Sequence, residues 1–223
     1  MHDVSVGDRV WTYLAQAGRP TGTAQEYVVF PRSRVVPLPD GASFEVGASL
    51  GVPAMTAHRP LTVEEDWPAR LYPGALEGAT VLVAGGAGAV GHAAIQLARW
   101  AGATVMTTIS GPEKGALAAA AGAHHVVNKT DDAAAVIRGI TPDGVDLVVE
   151  VSPAQNATLN AAVGEQALAN TASDVSAAAG AGALAVGAAA GLPLHHFSLA
   201  DTAKAHDAVQ GGVTGKVLIN VGE

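Results

Sequence analysis

Apolar and polar positions alternate differently on the two sides of residue 80. Before it the pattern is short-range. Val6-Gly7-Asp8-Arg9-Val10-Trp11 reads as a turn entering a strand. Thr23–Phe30 alternates polar and β-favouring residues up to Pro31, which predicts a strand with one face exposed. Val35–Pro39 is extended and bounded by proline, and the turn Asp40-Gly41 follows. Phe44–Leu50 and Met55–Val63 read as two short helices.

From Thr80 the pattern changes to a repeating unit. Thr80–Ala84 is a continuous apolar run, as expected of a strand buried on both faces. A helix to about Ala101, a strand Thr104–Thr108, a helix Pro112–Ala121 and a strand His125–Asn128 follow. Next come a helix Asp131–Arg138 and a strand Val145–Val151. Strands alternating with helices predict a doubly wound parallel sheet with right-handed crossovers, in the order 3-2-1-4. After Val151 the alternation fails. Ala154–Val163 and Gln166–Ala181 read as two successive helices without a strand between them. The pattern returns with a strand Leu194–Phe197, a helix Leu199–Val209 and a strand Lys216–Val221.

Composition narrows the class. Apolar residues make up 49% of the chain, which excludes a disordered protein. Much of that share is alanine, which favours helix but fills little volume, so the core is expected to be thin in places. Twelve Lys and Arg against 20 Asp and Glu give a net charge of −8, which argues against nucleic acid or an anionic membrane as partner. The uncharged run Ala177–Leu194 has the length of a membrane span. Ala and Gly dominate it and Pro193 closes it, so it reads as a helix, a turn and the start of a strand. There is no cysteine, which removes disulfides, thiolate nucleophiles and Cys-based zinc sites. Met1-His2-Asp3-Val4 lacks the basic and apolar regions of a signal peptide, so a cytoplasmic protein is expected.

The chemistry concentrates at Gly86-x-Gly88-x-x-Gly91, directly after a strand and opening a helix. Gly86 permits the tight turn, Gly88 lets the backbone approach a pyrophosphate, and Gly91 lets the helix pack on the strand. The helix N-terminus offers N–H groups and a positive dipole end to phosphates. This is a dinucleotide-binding fingerprint in its required context, and it makes the α/β fold Rossmann-type. A dinucleotide unit for NAD places Asp or Glu at the tip of the second strand. Here Thr108-Ile109-Ser110-Gly111-Pro112-Glu113-Lys114 has no acid at the tip, and Ser110 and Lys114 can meet a 2′-phosphate. The cofactor expected is NADPH.

Other constellations carry less. His124-His125 and His195-His196 are adjacent pairs that point to opposite faces of a strand, so no metal site is expected. His58 and His206 read as ordinary helix or boundary residues. Gly211-Gly-Val-Thr-Gly215-Lys216 is one residue short of a phosphate loop, has Val217 in place of Ser or Thr, and follows a helix, so it is rejected as one. There is no G-x-S-x-G nucleophile elbow. Hydride transfer needs no protein nucleophile, and no catalytic residue is nominated.

Val81–Gly91 with Gln96-Leu97-Ala98-Arg99 resembles the nucleotide-binding signature of zeta-crystallin-like quinone oxidoreductases, zinc-free members of the medium-chain dehydrogenase/reductase family. The resemblance runs forward through Ser110–Lys114 and Ala121–Asn128, backward through Val6–Val10, Glu26–Val29 and Gly51–Ala57, and returns at Gly215–Ile219. It implies a partial GroES-like β-barrel domain over residues 1–58, an NADPH-binding Rossmann domain over 59–190, and a return to the barrel over 191–223. It implies that Thr56 lies near the nicotinamide, that Gly88, Ala89 and Val90 lie on the pyrophosphate, and that Ser110 and Lys114 approach the 2′-phosphate. Ala89 stands where the family has glycine. Lys129 stands where it has tyrosine, and can also meet the 2′-phosphate. The resemblance further implies that the first barrel strands are missing. A segment between Val163 and Ala167, carrying the last two Rossmann strands and the subunit pairing, is missing too. The sheet is therefore expected to be incomplete and self-association weak.

The expected activity is hydride transfer from NADPH to a quinone or a similar activated carbonyl or alkene, a small-molecule substrate. The alternative is a non-catalytic NADPH-binding protein or a decayed fragment of such an enzyme.

Overall fold

The computed structural model describes residues 4–63, 67–129, 131–150 and 165–222, the last stretch with side chains from residue 169. Its centre is a four-stranded parallel sheet built from β3 (Thr80–Ala84), β4 (Thr104–Ile109), β5 (His125–Asn128) and β6 (Leu147–Val149). The strand order β5-β4-β3-β6 is the 3-2-1-4 order read from the sequence. Each strand is joined to the next by a helix: α3 (Ala89–Trp100), α4 (Pro112–Ala120) and α5 (Ala133–Ile140). Val81, Val83, Val105 and Val149 are fully buried at the sheet's centre, as an uninterrupted apolar strand requires. α5 begins two residues later than the sequence pattern places it. Asp132 caps it, its carboxylate accepting from Ala135 N–H at 3.1 Å.

β6 pairs only with β3, and among the described residues no strand covers its other edge. Val148 in that edge strand is 52% exposed. The helix expected over Ala154–Val163 lies outside the described residues. The helix expected over Gln166–Ala181 is present as α6 (Glu165–Gly180). Its Ala172, Val175, Ala178 and Ala179 are buried at a 3–4 residue spacing, the stripe by which a helix joins a core.

Among the described residues before residue 80 there is one two-stranded antiparallel ladder, β1 (Val10–Thr12) with β2 (Val35–Pro37). The strand expected over Thr23–Phe30 is not formed. Tyr27 is 88% and Val29 79% exposed. Alternation makes a segment suitable for a sheet, but a strand needs a neighbour for its backbone groups, and the described residues supply none there.

The two short helices expected next are in fact one rising run. α1 (Phe44–Ser49) passes through a π-helical turn at Leu50–Ala54 into α2 (Met55–His58), and a 3₁₀ turn at Arg59–Leu61 ends it. Pro53 sits inside the π-turn, whose wider hydrogen bonding accommodates the missing N–H. The chain closes with β7 (Leu194–Ser198), α7 (Thr202–Gln210) and β8 (Lys216–Asn220), in which β7 and β8 pair in parallel. Ala177–Leu194 is the end of α6, a loop and the start of β7, and no described helix is long and apolar enough to cross a membrane.

The helical run is tied to α6 by a buried polar cluster. His58 is 1% and Asp174 3% exposed, and His58 Nε2 donates to Asp174 Oδ2 at 2.9 Å. Arg70 donates to Asp174 Oδ1 from Nε at 2.8 Å and from Nη2 at 2.5 Å, and Leu71 N–H donates to Oδ2 at 2.9 Å. Burial raises the Asp174 pKa, but His58, Arg70 and the Leu71 N–H outweigh it and hold the carboxyl below its ordinary range. His58 is therefore more than the ordinary helix residue that its sequence position suggests.

Candidate cofactor cleft

The ends of β3, β4 and β6 open onto a cleft of ≈ 720 Å³. Its floor is the fingerprint turn. Gly85 and Gly86 N–H both donate to the Thr108 carbonyl, at 3.1 and 3.3 Å, and Gly88 N–H closes the turn on Gly85 O at 3.0 Å. A Cβ at Gly86 would overlap Thr107 Oγ1, a buried hydroxyl already donating to Val83 O at 2.7 Å. A Cβ at Gly91 would overlap the Gly85 carbonyl. Both glycines are thus required by close approach, which the sequence indicated for Gly91 only; for Gly86 it indicated the tight turn, and the left-handed residue of that turn is Gly85 at φ +70°. α3 begins at Ala89, so the N–H groups of its first turn face the cleft without intrahelical acceptors.

Of the nine sequence-nominated residues, Gly88, Ala89, Val90, Gly91, Ser110, Lys114 and Lys129 line this one cleft. Lys114 Nζ donates to Ser110 Oγ at 3.3 Å, which holds both at the tip of β4. Lys129 N–H donates to Ile109 O at 2.9 Å, which fixes the second lysine beside the same tip. Gly86 sits beneath the turn rather than in the lining. Thr56 is buried in α2 and is not among the lining residues.

The cleft also has walls that the sequence reading passed over. Glu150 follows β6 directly and lines the side opposite the two lysines in strand order. The loop Gly212-Val213-Thr214-Gly215, rejected as a phosphate loop, forms another wall. The signal for Glu150 was its place at the carboxyl end of a parallel strand, where such sheets gather ligands. Nothing local marked the loop, because its place depends on how β7 and β8 pack.

Two side chains clamp the segment before β7 onto α3. His92 Nε2 donates to Ala190 O at 2.6 Å, and the Gln96 amide both donates to Ala185 O and accepts from Ala185 N–H, each at 3.1 Å. Burial pushes the His92 pKa down, only partly opposed by the bond to Ala190. His124 is likewise lowered, by burial and by Arg99 and His125. Among the described residues no group of three or more His, Asp or Glu is placed to hold a metal ion.

A pyrophosphate fits this floor. The glycines leave space against the backbone, free N–H groups face it, and two cations flank the β4 tip.

Residues 89–211, more than half of the chain, match the family model described as zinc-binding dehydrogenase. The quinone oxidoreductase of Mus musculus is 35% identical over 154 residues, 67% of this chain and 43% of that protein. A 2-haloacrylate reductase of Burkholderia sp is 34% identical over 152 residues, 66% of this chain and 42% of that one. The chain thus spans about two fifths of the length of these curated relatives. A mycobacterial protein solved in complex with NADPH superimposes with a TM-score of 0.67 at 25% identity, over 98% of this chain and 77% of the other. With a matched dehydrogenase domain, a Rossmann-type sheet and quinone oxidoreductase relatives, the chain belongs to the medium-chain dehydrogenase/reductase family.

Proposed function

We propose that this chain binds NADPH in the cleft at the fingerprint turn and passes hydride to a quinone or a similar activated carbonyl or alkene. The observation that carries the reading is the single cleft in which the bare first turn of α3 meets Ser110, Lys114 and Lys129. The pyrophosphate lies on Gly88, Ala89 and Val90. The 2′-phosphate meets Ser110 and Lys114, with Lys129 beside them. The cofactor supplies the hydride. The protein orients it and excludes water. A quinone's oxygens can take protons from solvent, so the absence of a nominated acid is consistent with this chemistry. In this reading residues 59–190 form the cofactor side and residues 1–58 and 191–223 the substrate side. The activities of the quinone and haloacrylate reductases support the acceptor class. The setting is cytoplasmic.

A second reading has one observation in its favour. The sheet's β6 edge has no further strand among the described residues. On that reading the chain binds NADPH without turning over a substrate. Fluorescence titration with NADPH and NADH, followed by NADPH oxidation with 1,4-naphthoquinone, separates the two. Tighter NADPH binding with quinone-dependent oxidation supports the first; binding without oxidation supports the second. Equal affinities for the two cofactors would overturn the 2′-phosphate assignment in both.

A further inference from the structure

Among the described residues that line the cofactor cleft, Glu150 is the one carboxylate. It follows β6 directly. Val83 of β3 pairs with Val149 of β6, so Ala84 and Glu150 leave the sheet side by side, where the fingerprint turn begins. On its other flank Ala84 pairs with Thr108 of β4, and Ser110 and Lys114 stand beyond that tip. The cleft therefore carries cations at β4, bare N–H groups over β3 and an acid at β6. Two strand spacings, roughly 10 Å, separate the ends of that row. Among the described residues the Glu150 carboxylate makes no hydrogen bond and no ion pair, with Lys114 and Lys129 included.

The chemistry of a carboxylate restricts what it can meet there. It accepts hydrogen bonds and donates none, and a phosphate is both an acceptor and a like charge. Within a dinucleotide its partners are the adenine amine, the ribose hydroxyls and the nicotinamide carboxamide. Strand order divides these. With the 2′-phosphate on Ser110 and Lys114, the adenine and its ribose belong to the β4 side. With the pyrophosphate on the β3 turn, the other half of the molecule runs the opposite way. A dinucleotide lies across the point where strand order reverses, and here that point is the junction of β3 and β6. The first group past the pyrophosphate on that side is the nicotinamide ribose. Its 2′ and 3′ hydroxyls are both free, and one carboxylate can accept from the two together.

We propose, on the NADPH reading of this cleft, that Glu150 binds the cofactor through the hydroxyls of the nicotinamide ribose. An acid at the tip of the second strand holds the adenosine ribose of NAD. This chain has Ser110 and Lys114 at that tip and its acid two strands away. The two ends of the cleft thus read the two ends of one molecule, a phosphate by cations and a diol by a carboxylate.

Calorimetric titration of the full chain with three ligands tests this. They are NADPH, its reduced 3-acetylpyridine analogue, which lacks the amide donor, and adenosine 2′,5′-bisphosphate, which lacks the nicotinamide riboside. The ratio of NADPH to bisphosphate affinity is the readout, because a change in repulsion of phosphates acts on both. Glu150→Ala should lower that ratio about tenfold or more, with the acetylpyridine analogue falling equally, and Glu150→Gln, which keeps an acceptor, should lower it less. The proposal is overturned if the ratio is unchanged or moves in favour of NADPH, the mark of an acid that only repels phosphate. It is overturned if bisphosphate binding falls as much, which assigns Glu150 to the adenosine side. It is overturned too if the acetylpyridine analogue is insensitive, which assigns it to the carboxamide. Wild-type protein that binds neither NADPH nor the bisphosphate would overturn the cofactor reading and this one with it. Wild-type binding with an unaltered ratio in the variants overturns this one alone.

Discussion

The segment 80–150 and the segment 4–52 both carry strand-forming patterns, yet the first becomes a four-stranded sheet and the second a ladder of three residue pairs. In the first, four runs pair in register, Val81 with Val105 and Leu147, and Met106 with His125. In the second, three residues pair with three, and Tyr27, Val28 and Val29 lie outside any strand. Local sequence is not the difference, since Glu26-Tyr-Val-Val29 is as suited to a strand as His125-Val-Val-Asn128. His125–Asn128 has β4 beside it and α4 to close the unit. A strand is a pairwise object, and a pattern without a neighbour remains a pattern.

The largest effect should come from Asp174, because its carboxylate joins the helical run Phe44–Leu61 to α6. Asp174→Ala leaves His58, Arg70 and Leu71 N–H without their acceptor. Loss of a buried ion-pair partner costs about 3–5 kcal/mol, readable as a drop in the urea midpoint. Wild-type protein should also show a pH signature. The folded Asp174 pKa lies below its unfolded value, so its stabilisation is complete above the ordinary carboxyl range and is lost as pH falls through the depressed value. Urea unfolding at stepped pH in the acid range should show that loss in the wild type and not in Asp174→Ala. Equal acid sensitivity would assign the effect to other carboxylates.

Ile95 lies on α3, fully buried beneath the fingerprint turn. Ile95→Ala should cost about 2–5 kcal/mol, from lost transfer energy and the cavity left behind. A change below 1 kcal/mol would mean that the Rossmann-type core is looser than its packing indicates, and would erase much of the contrast.

Lys114→Ala tests the cleft rather than the core. Removing one charge-assisted contact should weaken NADPH binding by about 1.5–3 kcal/mol and leave NADH binding nearly unchanged. A parallel loss for both cofactors would place Lys114 on a part of the molecule common to the two.

The smallest effect is expected at Val29, 79% exposed in the unpaired segment. Val29→Ala should change stability by no more than about 0.5 kcal/mol in the same urea assay. A core-sized loss would show that the segment is paired in solution, and would give the Thr23–Phe30 alternation the strand it lacks here.

Sequence alone determined the parallel sheet, its order, and the glycines that its turn needs. Those features follow from local periodicity and from the close contacts of a strand-turn-helix unit, as Gly86 against Thr107 and Gly91 against Gly85 demonstrate. It also brought forward Ser110 and Lys114, because residues at strand tips share one edge of the sheet, while Lys129 came from the family resemblance. Tertiary structure decided what depends on distant partners. It left Thr23–Phe30 unpaired, since no pattern within a segment supplies its neighbour. It turned His58 into a donor to Asp174, 116 residues away, a relation with no local trace. It set Glu150 and the Gly212–Gly215 loop across one cleft, because such proximity is a property of the packed whole and not of the chain's order.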